Sequence, residues 1–165
     1  MKRVAGMRTY AMSDIYTNDL LELAADIPHI GRLSDPDGSA HKVSRICGSE
    51  LTLDLKLEAG RIADLGLEVK ACALGQASAS VFARSAIGAD LEEIRATREA
   101  LNAMLKENGP APKGRFSALL ALQPAASYRQ RHGSILLAFD AAVEAFEQAV
   151  PQDQAVSSSS GRNLD

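Results

Sequence analysis

The chain has 165 residues, of which 46% are hydrophobic and 24% charged, and a formal net charge of −3. That length suits one domain with a core of its own, and that charge argues against a broad nucleic-acid footprint, which needs clustered Lys and Arg. No apolar run is long enough to span a membrane. The basic start, MKRVAGMRTYAMSDIY, has no apolar stretch of the kind a secretory signal carries. The expected compartment is the cytoplasm, where the two cysteines would be free thiols, metal ligands or core residues rather than a disulfide.

Residues 1–12 read as a poorly ordered arm, residues 13–150 as the folded domain, and residues 151–165, PQDQAVSSSSGRNLD, as a disordered polar tail. A first helix is expected from a Ser13 or Asp14 cap, with Ile15, Leu20, Leu23 and Ile27 on one side and Pro28 ending it. Ser34–Lys42 reads as a loop and Lys42–Ile46 as a first strand. The next segment alternates strictly: Leu51, Leu53, Leu55 and Leu57 against Thr52, Asp54, Lys56 and Glu58. Such alternation sends one set of side chains to a core and the other to solvent. EAGR (Glu58–Arg61) supplies a hairpin turn, and the return strand carries Ile62, Leu65, Leu67 and Val69 with a break in period near Leu65–Gly66, where a bulge is expected.

Helical segments follow. ALGQASASVFARSAIG is rich in small residues, with Gly88 as its C-cap; Asp90 caps LEEIRATREALNAMLKEN, which Asn108–Gly109–Pro110 stop. RFSALLAL is a short helix broken at Gln123–Pro124, and SYRQRHGSILLAFDAAVEAFEQAV is a long last helix whose core side is Ile135, Leu136, Phe139, Val143 and Phe146. Strands before helices give an α+β fold: a three-stranded antiparallel sheet packed against helices, in a single domain with a long C-terminal helix.

The two cysteines sit at the ends of the sheet strands, Cys47 in RICGSE and Cys72 in VKACALGQASAS. CALGQAS, the CG before an alternating strand, and the order of elements from Ile15 to Ala149 resemble the NifU-like family of iron–sulfur cluster assembly scaffolds, which includes IscU-like and SufU-like proteins. The Asn108–Pro124 segment is closer to the SufU-like branch. The resemblance implies that Cys47 and Cys72 hold iron or accept persulfide sulfur, that Gly48 allows a tight turn, and that Arg131 neutralises charge near the thiolates. It implies a scaffold rather than a turnover enzyme, served by a cysteine desulfurase and other assembly proteins. The family has an aspartate two residues after the first cysteine and a third cysteine near the C-terminus; here Ser49 and Ser134 stand at those positions.

A two-cysteine pocket is incomplete for a closed metal site or a cluster, whether the cargo is iron–sulfur (a 2Fe-2S cluster first) or zinc. Glu50 and His132 are the candidate completing ligands, with His41 a further one. Neighbours on a strand point to opposite faces, so Glu50 joins Cys47 only through a turn at Gly48. His132 and Ser134, if helical, lie about 200° apart around the axis, so His132 joins only from a loop. A homodimer, or a small thiol such as glutathione, would also complete a four-thiolate set. Against these stand plainer readings: buried structural thiols, a solvated Glu50, a capping or surface His132. Two other functions stay open: a degenerate paralogue serving as an interaction or regulatory module, and a persulfide acceptor or zinc-binding partner of the desulfurase.

Overall fold

The computed structural model describes residues 16–149. The expected arm over residues 1–12, the Ser13 and Asp14 caps and the tail over residues 151–165 lie outside them. Helix α1 (Asn18–Ala25) starts at Thr17, whose hydroxyl accepts the Leu20 N–H at 3.2 Å. It ends before Ile27, because Pro28 disfavours helical geometry at the residue preceding it. Ile27 still packs on the core, from the loop.

Three strands form one antiparallel sheet in the order β1 (Gly38–Ser44), β2 (Ser49–Glu58), β3 (Arg61–Lys70). The first strand begins four residues before the expected Lys42, inside the segment read as a loop, and Arg45 and Ile46 belong to the turn that follows it. Pairing decides this: Gly38 stands opposite Leu55 and Ala40 opposite Leu53. Gly38 also lies so close to the last helix that a Cβ there would come within 2.0 Å of the Ala145 carbonyl oxygen. Leu51, Leu53 and Leu55 are buried, as their alternation requires. Ala59 and Gly60 both have positive φ (54° and 77°), the geometry of a two-residue hairpin turn matched to strand twist.

The bulge falls at Ala63, not at Leu65–Gly66: Leu57 pairs with Ile62 but Lys56 pairs with Asp64. One extra residue there flips the parity of β3, so that Ile62, Leu65 and Leu67 all reach the core. Gly66 has a different task. It faces the backbone of Gly31, whose carbonyl oxygen would stand 2.5 Å from a Cβ at 66. Residues 29–31 run along the edge of β3, with Gly31 N–H donating to the Leu67 carbonyl and Leu67 N–H to the His29 carbonyl.

Helices α2 (Ala73–Ser85), α3 (Leu91–Glu107) and α4 (His132–Ala149) complete the domain with a 3₁₀ run over Gly114–Ser127 and a 3₁₀ turn over Arg129–Arg131. Gly88 is not the cap of α2. Ala86 is, and Gly88 (φ +95°) lies in the connecting turn, donating its N–H to the Ile62 carbonyl. Asp90 caps α3 by accepting the Glu93 N–H, and Asn108 ends it in the left-handed conformation. The 3₁₀ run passes through Pro124 instead of breaking there, and α4 starts five residues after Ser127 because Tyr128 leaves helical geometry. α4 crosses β1 and β2, while α2 packs against α1, α4 and the 3₁₀ run. The architecture is α+β.

Candidate functional site

Three chain segments meet at one end of the sheet. Cys47 lies in the Arg45–Gly48 turn between β1 and β2, which the left-handed Gly48 (φ +70°) closes by donating its N–H to the Ser44 carbonyl at 2.8 Å. Ser49 opens β2 and Ser44 closes β1. Cys72 is the N-cap of α2, with no cap hydrogen bond from its side chain. Ser134 is in the first turn of α4.

The Ser134 hydroxyl donates to the Ser49 hydroxyl at 3.0 Å and lies 3.6 Å from the Cys72 sulfur. Cys47 Sγ is 3.5 Å from Ser49 Oγ and 3.3 Å from Ser44 Oγ. Ser49 and Ser134 are 2% and 1% exposed, whereas both cysteines are half-buried free thiols. The result is a buried pair of hydroxyls flanked by two half-buried thiols. Two glycines let the helices approach this closely. A Cβ at Gly75 would stand 2.2 Å from Ser134 Oγ, and one at Gly133 would stand 2.6 Å from Ser44 Oγ.

Burial pushes the Cys47 thiol up, but hydrogen bonding with the Ser44 and Ser49 hydroxyls, the Ser49 backbone N–H and the nearby Ser134 hydroxyl outweighs it and holds the thiol below its ordinary value. Thiolate is the form that attacks sulfur and binds metal.

The residues named from the sequence divide cleanly. The four positions Cys47, Ser49, Cys72 and Ser134 converge. Glu50 does not join them: it pairs across the outer sheet face with His41 (Nε2 to Oε1, 3.3 Å), whose Nδ1 meets the Thr52 hydroxyl at 2.8 Å. Strand parity is the cause, since Ser49 and Glu50 are neighbours on β2 and face opposite ways. His132 begins α4 and is 4% exposed, with Nε2 at 3.1 Å from both the Ala125 and Ala126 carbonyls, so it closes the end of the 3₁₀ run. Burial lowers its basicity, partly offset by those carbonyls. Arg131 lies in the 3₁₀ turn before α4 with no side-chain partner among the described residues. Among the described residues no group of three or more His, Cys, Asp and Glu is placed to hold a metal ion. Sequence reasoning missed Gly75, although a glycine inside a helical pattern marks a close approach. It missed Gly133 and Ser44 too, and nothing local distinguishes Ser44.

Residues 15–133 match the model of the NifU-like N terminal domain. The chain belongs to this family. The iron-sulfur cluster assembly scaffold protein IscU of Thermotoga maritima is 28% identical to this NifU-like chain over 134 residues, which is 81% of this chain and 94% of the relative. Among solved structures, the N-terminal part of a nitrogen-fixing NifU-like protein from Brucella abortus superposes with a TM-score of 0.81 at 49% identity, covering 82% of this chain and 94% of that one. A putative iron-sulfur cluster assembly scaffold protein for the SUF system from Fervidobacterium islandicum shares the fold, with a TM-score of 0.74 at 19% identity over 82% of this chain and 99% of that one.

Proposed function

We propose that this NifU-like chain serves iron–sulfur cluster assembly as a scaffold, or as a cluster- or iron-binding accessory of that pathway, and not as a turnover enzyme. The observation that carries the reading is the pair of half-buried free thiols, Cys47 and Cys72, on either side of the buried Ser49–Ser134 hydroxyls. Its relatives named as scaffolds support it. The cluster is cargo here, and the sulfur comes from a cysteine desulfurase.

The donor set fits that cargo only in part. Soft thiolates suit iron–sulfur clusters and zinc. One chain offers two of them, and its other two corners are hydroxyls engaged with each other. Glu50 and His132 are held by His41 and by backbone carbonyls, so they do not complete the set. Two thiolates from a second copy, or from two molecules of a small thiol, would complete four. Arg131, which has no side-chain partner among the described residues, would supply a cation three residues before Ser134 to balance the charge of a bound cluster. No helix among the described residues is long and apolar enough to cross a membrane, and the proposed address is the cytoplasm.

Anaerobic reconstitution with iron, cysteine and a cysteine desulfurase tests the reading. A cluster absorption spectrum with matching iron and sulfide, lost in Cys72→Ala, is the expected result. A colourless wild type would reject the scaffold role. A second reading, a sulfur acceptor for the desulfurase, draws on the lowered Cys47 thiol, and mass spectrometry of the same sample reads it directly.

A further inference from the structure

We propose that Cys47 and Cys72 act as a sulfide-releasing pair, in which a persulfide on Cys47 is resolved by Cys72 to a Cys47–Cys72 disulfide and free sulfide. The inference rests on the reading that this site handles sulfur, and it assigns each thiol a separate task.

The geometry distinguishes the two. Cys47 sits in an open turn whose other members, Arg45, Ile46 and Gly48, are all exposed, Ile46 by 81%. A sulfur donor reaches it without moving the core. Ser44 and Ser49 hold hydroxyls 3.3 and 3.5 Å from its sulfur, ready to donate to a sulfur anion. Cys72 is set back between β3 and α2. It is the N-cap of a 13-residue helix and makes no cap hydrogen bond, so its sulfur stands at the start of that helix with the Ser134 hydroxyl 3.6 Å away. Ser134 lies 3.6 Å from Cys72 and 3.0 Å from Ser49, whose hydroxyl is 3.5 Å from the Cys47 sulfur. The two sulfurs are therefore linked through two hydroxyls, Ser49 and Ser134, in a run of three contacts. A disulfide needs a sulfur–sulfur distance of about 2 Å, so rotation of both side chains and a shift of the Arg45–Gly48 turn must close the gap. No third thiol competes, because Ser49 and Ser134 occupy the remaining corners.

The step balances without an outside oxidant. The Cys72 thiolate attacks Cys47 Sγ. The bond between Cys47 Sγ and the sulfane sulfur breaks as the Cys47–Cys72 bond forms. The sulfane sulfur leaves with the electron pair as hydrosulfide; formally it gains two electrons, one from each cysteine sulfur. The proton lost by Cys72 goes to solvent. A dithiol reductant then returns the disulfide to two thiols for the next cycle.

The test loads the full chain anaerobically with inorganic polysulfide, removes the excess, and follows free sulfide and intact mass without reductant. Neither a desulfurase nor iron is present, so failure of cluster assembly would leave this result untouched. Wild type is expected to lose the added sulfur as sulfide, one per chain, and to end two hydrogens lighter, with a Cys47–Cys72 cross-linked peptide after digestion. Cys72→Ser, whose fold is checked by circular dichroism, is expected to keep the sulfur on Cys47, releasing sulfide more than about tenfold slower. Cys72→Ala serves as the second variant. The proposal is overturned if wild type keeps its persulfide as long as the variants do. It is equally overturned if the disulfide formed joins two chains, or if neither cysteine takes up sulfur.

Discussion

A single hydroxyl sets the scale of the site. Ser134 Oγ touches Ser49 and Cys72 and leaves no room for a side chain at Gly75. Gly75→Ala would gain up to about 1 kcal/mol of helix propensity. Its methyl would stand 2.2 Å from Ser134 Oγ and 2.9 Å from the Ala71 side chain, overpacking that costs about 1–3 kcal/mol. The clash wins, so Gly75→Ala is expected to lower the urea midpoint and to alter alkylation of Cys72. Ser134→Cys should act the other way on metal. It adds a soft ligand beside Cys72, and reconstituted protein is expected to retain more iron and sulfide per chain than wild type; equal retention would show that the corner does not face the cargo. Cys47 gives a pH test. Its folded value is depressed, so the associated stability is complete above the unfolded thiol's value and is lost as pH falls through the folded one. Near neutrality the effect therefore shows as reactivity. Alkylation of Cys47 should reach its midpoint below that of an ordinary thiol, and Ser49→Ala should move that midpoint up.

Strands and helices place these residues by pairing. The Leu51–Leu57 alternation was legible and correctly gives the core face of β2, but the same rule assigns Asp54 to solvent. Asp54 is fully buried, because Arg32 and the Leu33 N–H fold over the outer face and Ser39 reaches across from β1. Burial pushes its carboxyl up, but the Arg32, Ser39 and Leu33 hydrogen bonds and the Arg32 charge outweigh it and hold it below the ordinary carboxylate range. The sign follows: this stabilisation is complete above the unfolded carboxylate value of about 4 and is lost as pH falls through the lower folded value. Denaturant melts are expected to show wild type losing its advantage over Asp54→Asn across that acidic window; a constant difference would mean that the charge is not what Asp54 contributes. The start of β1 at Gly38 and the bulge at Ala63 were not legible either. Both answer to partners far along the chain, Ala145 and Leu55 for the first and the shared core for the second.

Across the whole molecule, three aromatic rings tie the site's helices together. Phe82 on α2 stands edge-on to Phe139 on α4 with centroids 5.3 Å apart, and Phe116 of the 3₁₀ run packs on both. All three are fully buried. Phe139→Ala is expected to cost about 3–5 kcal/mol, lowering the thermal midpoint. It should also loosen the register between Cys72 on α2 and Ser134 on α4, read as faster alkylation of Cys72 in native buffer. The α+β class, the hairpin, the two thiols and the two serines that accompany them can be read from the chain alone, because alternation, turn residues and short motifs are local properties. That Cys47, Ser49, Cys72 and Ser134 form one hydrogen-bonded group while Glu50 and His132 turn elsewhere follows from packing. Side-chain direction there depends on strand parity at the sheet end and on how closely α2 approaches α4. Both are fixed by contacts between residues as much as 85 positions apart, which no local pattern records.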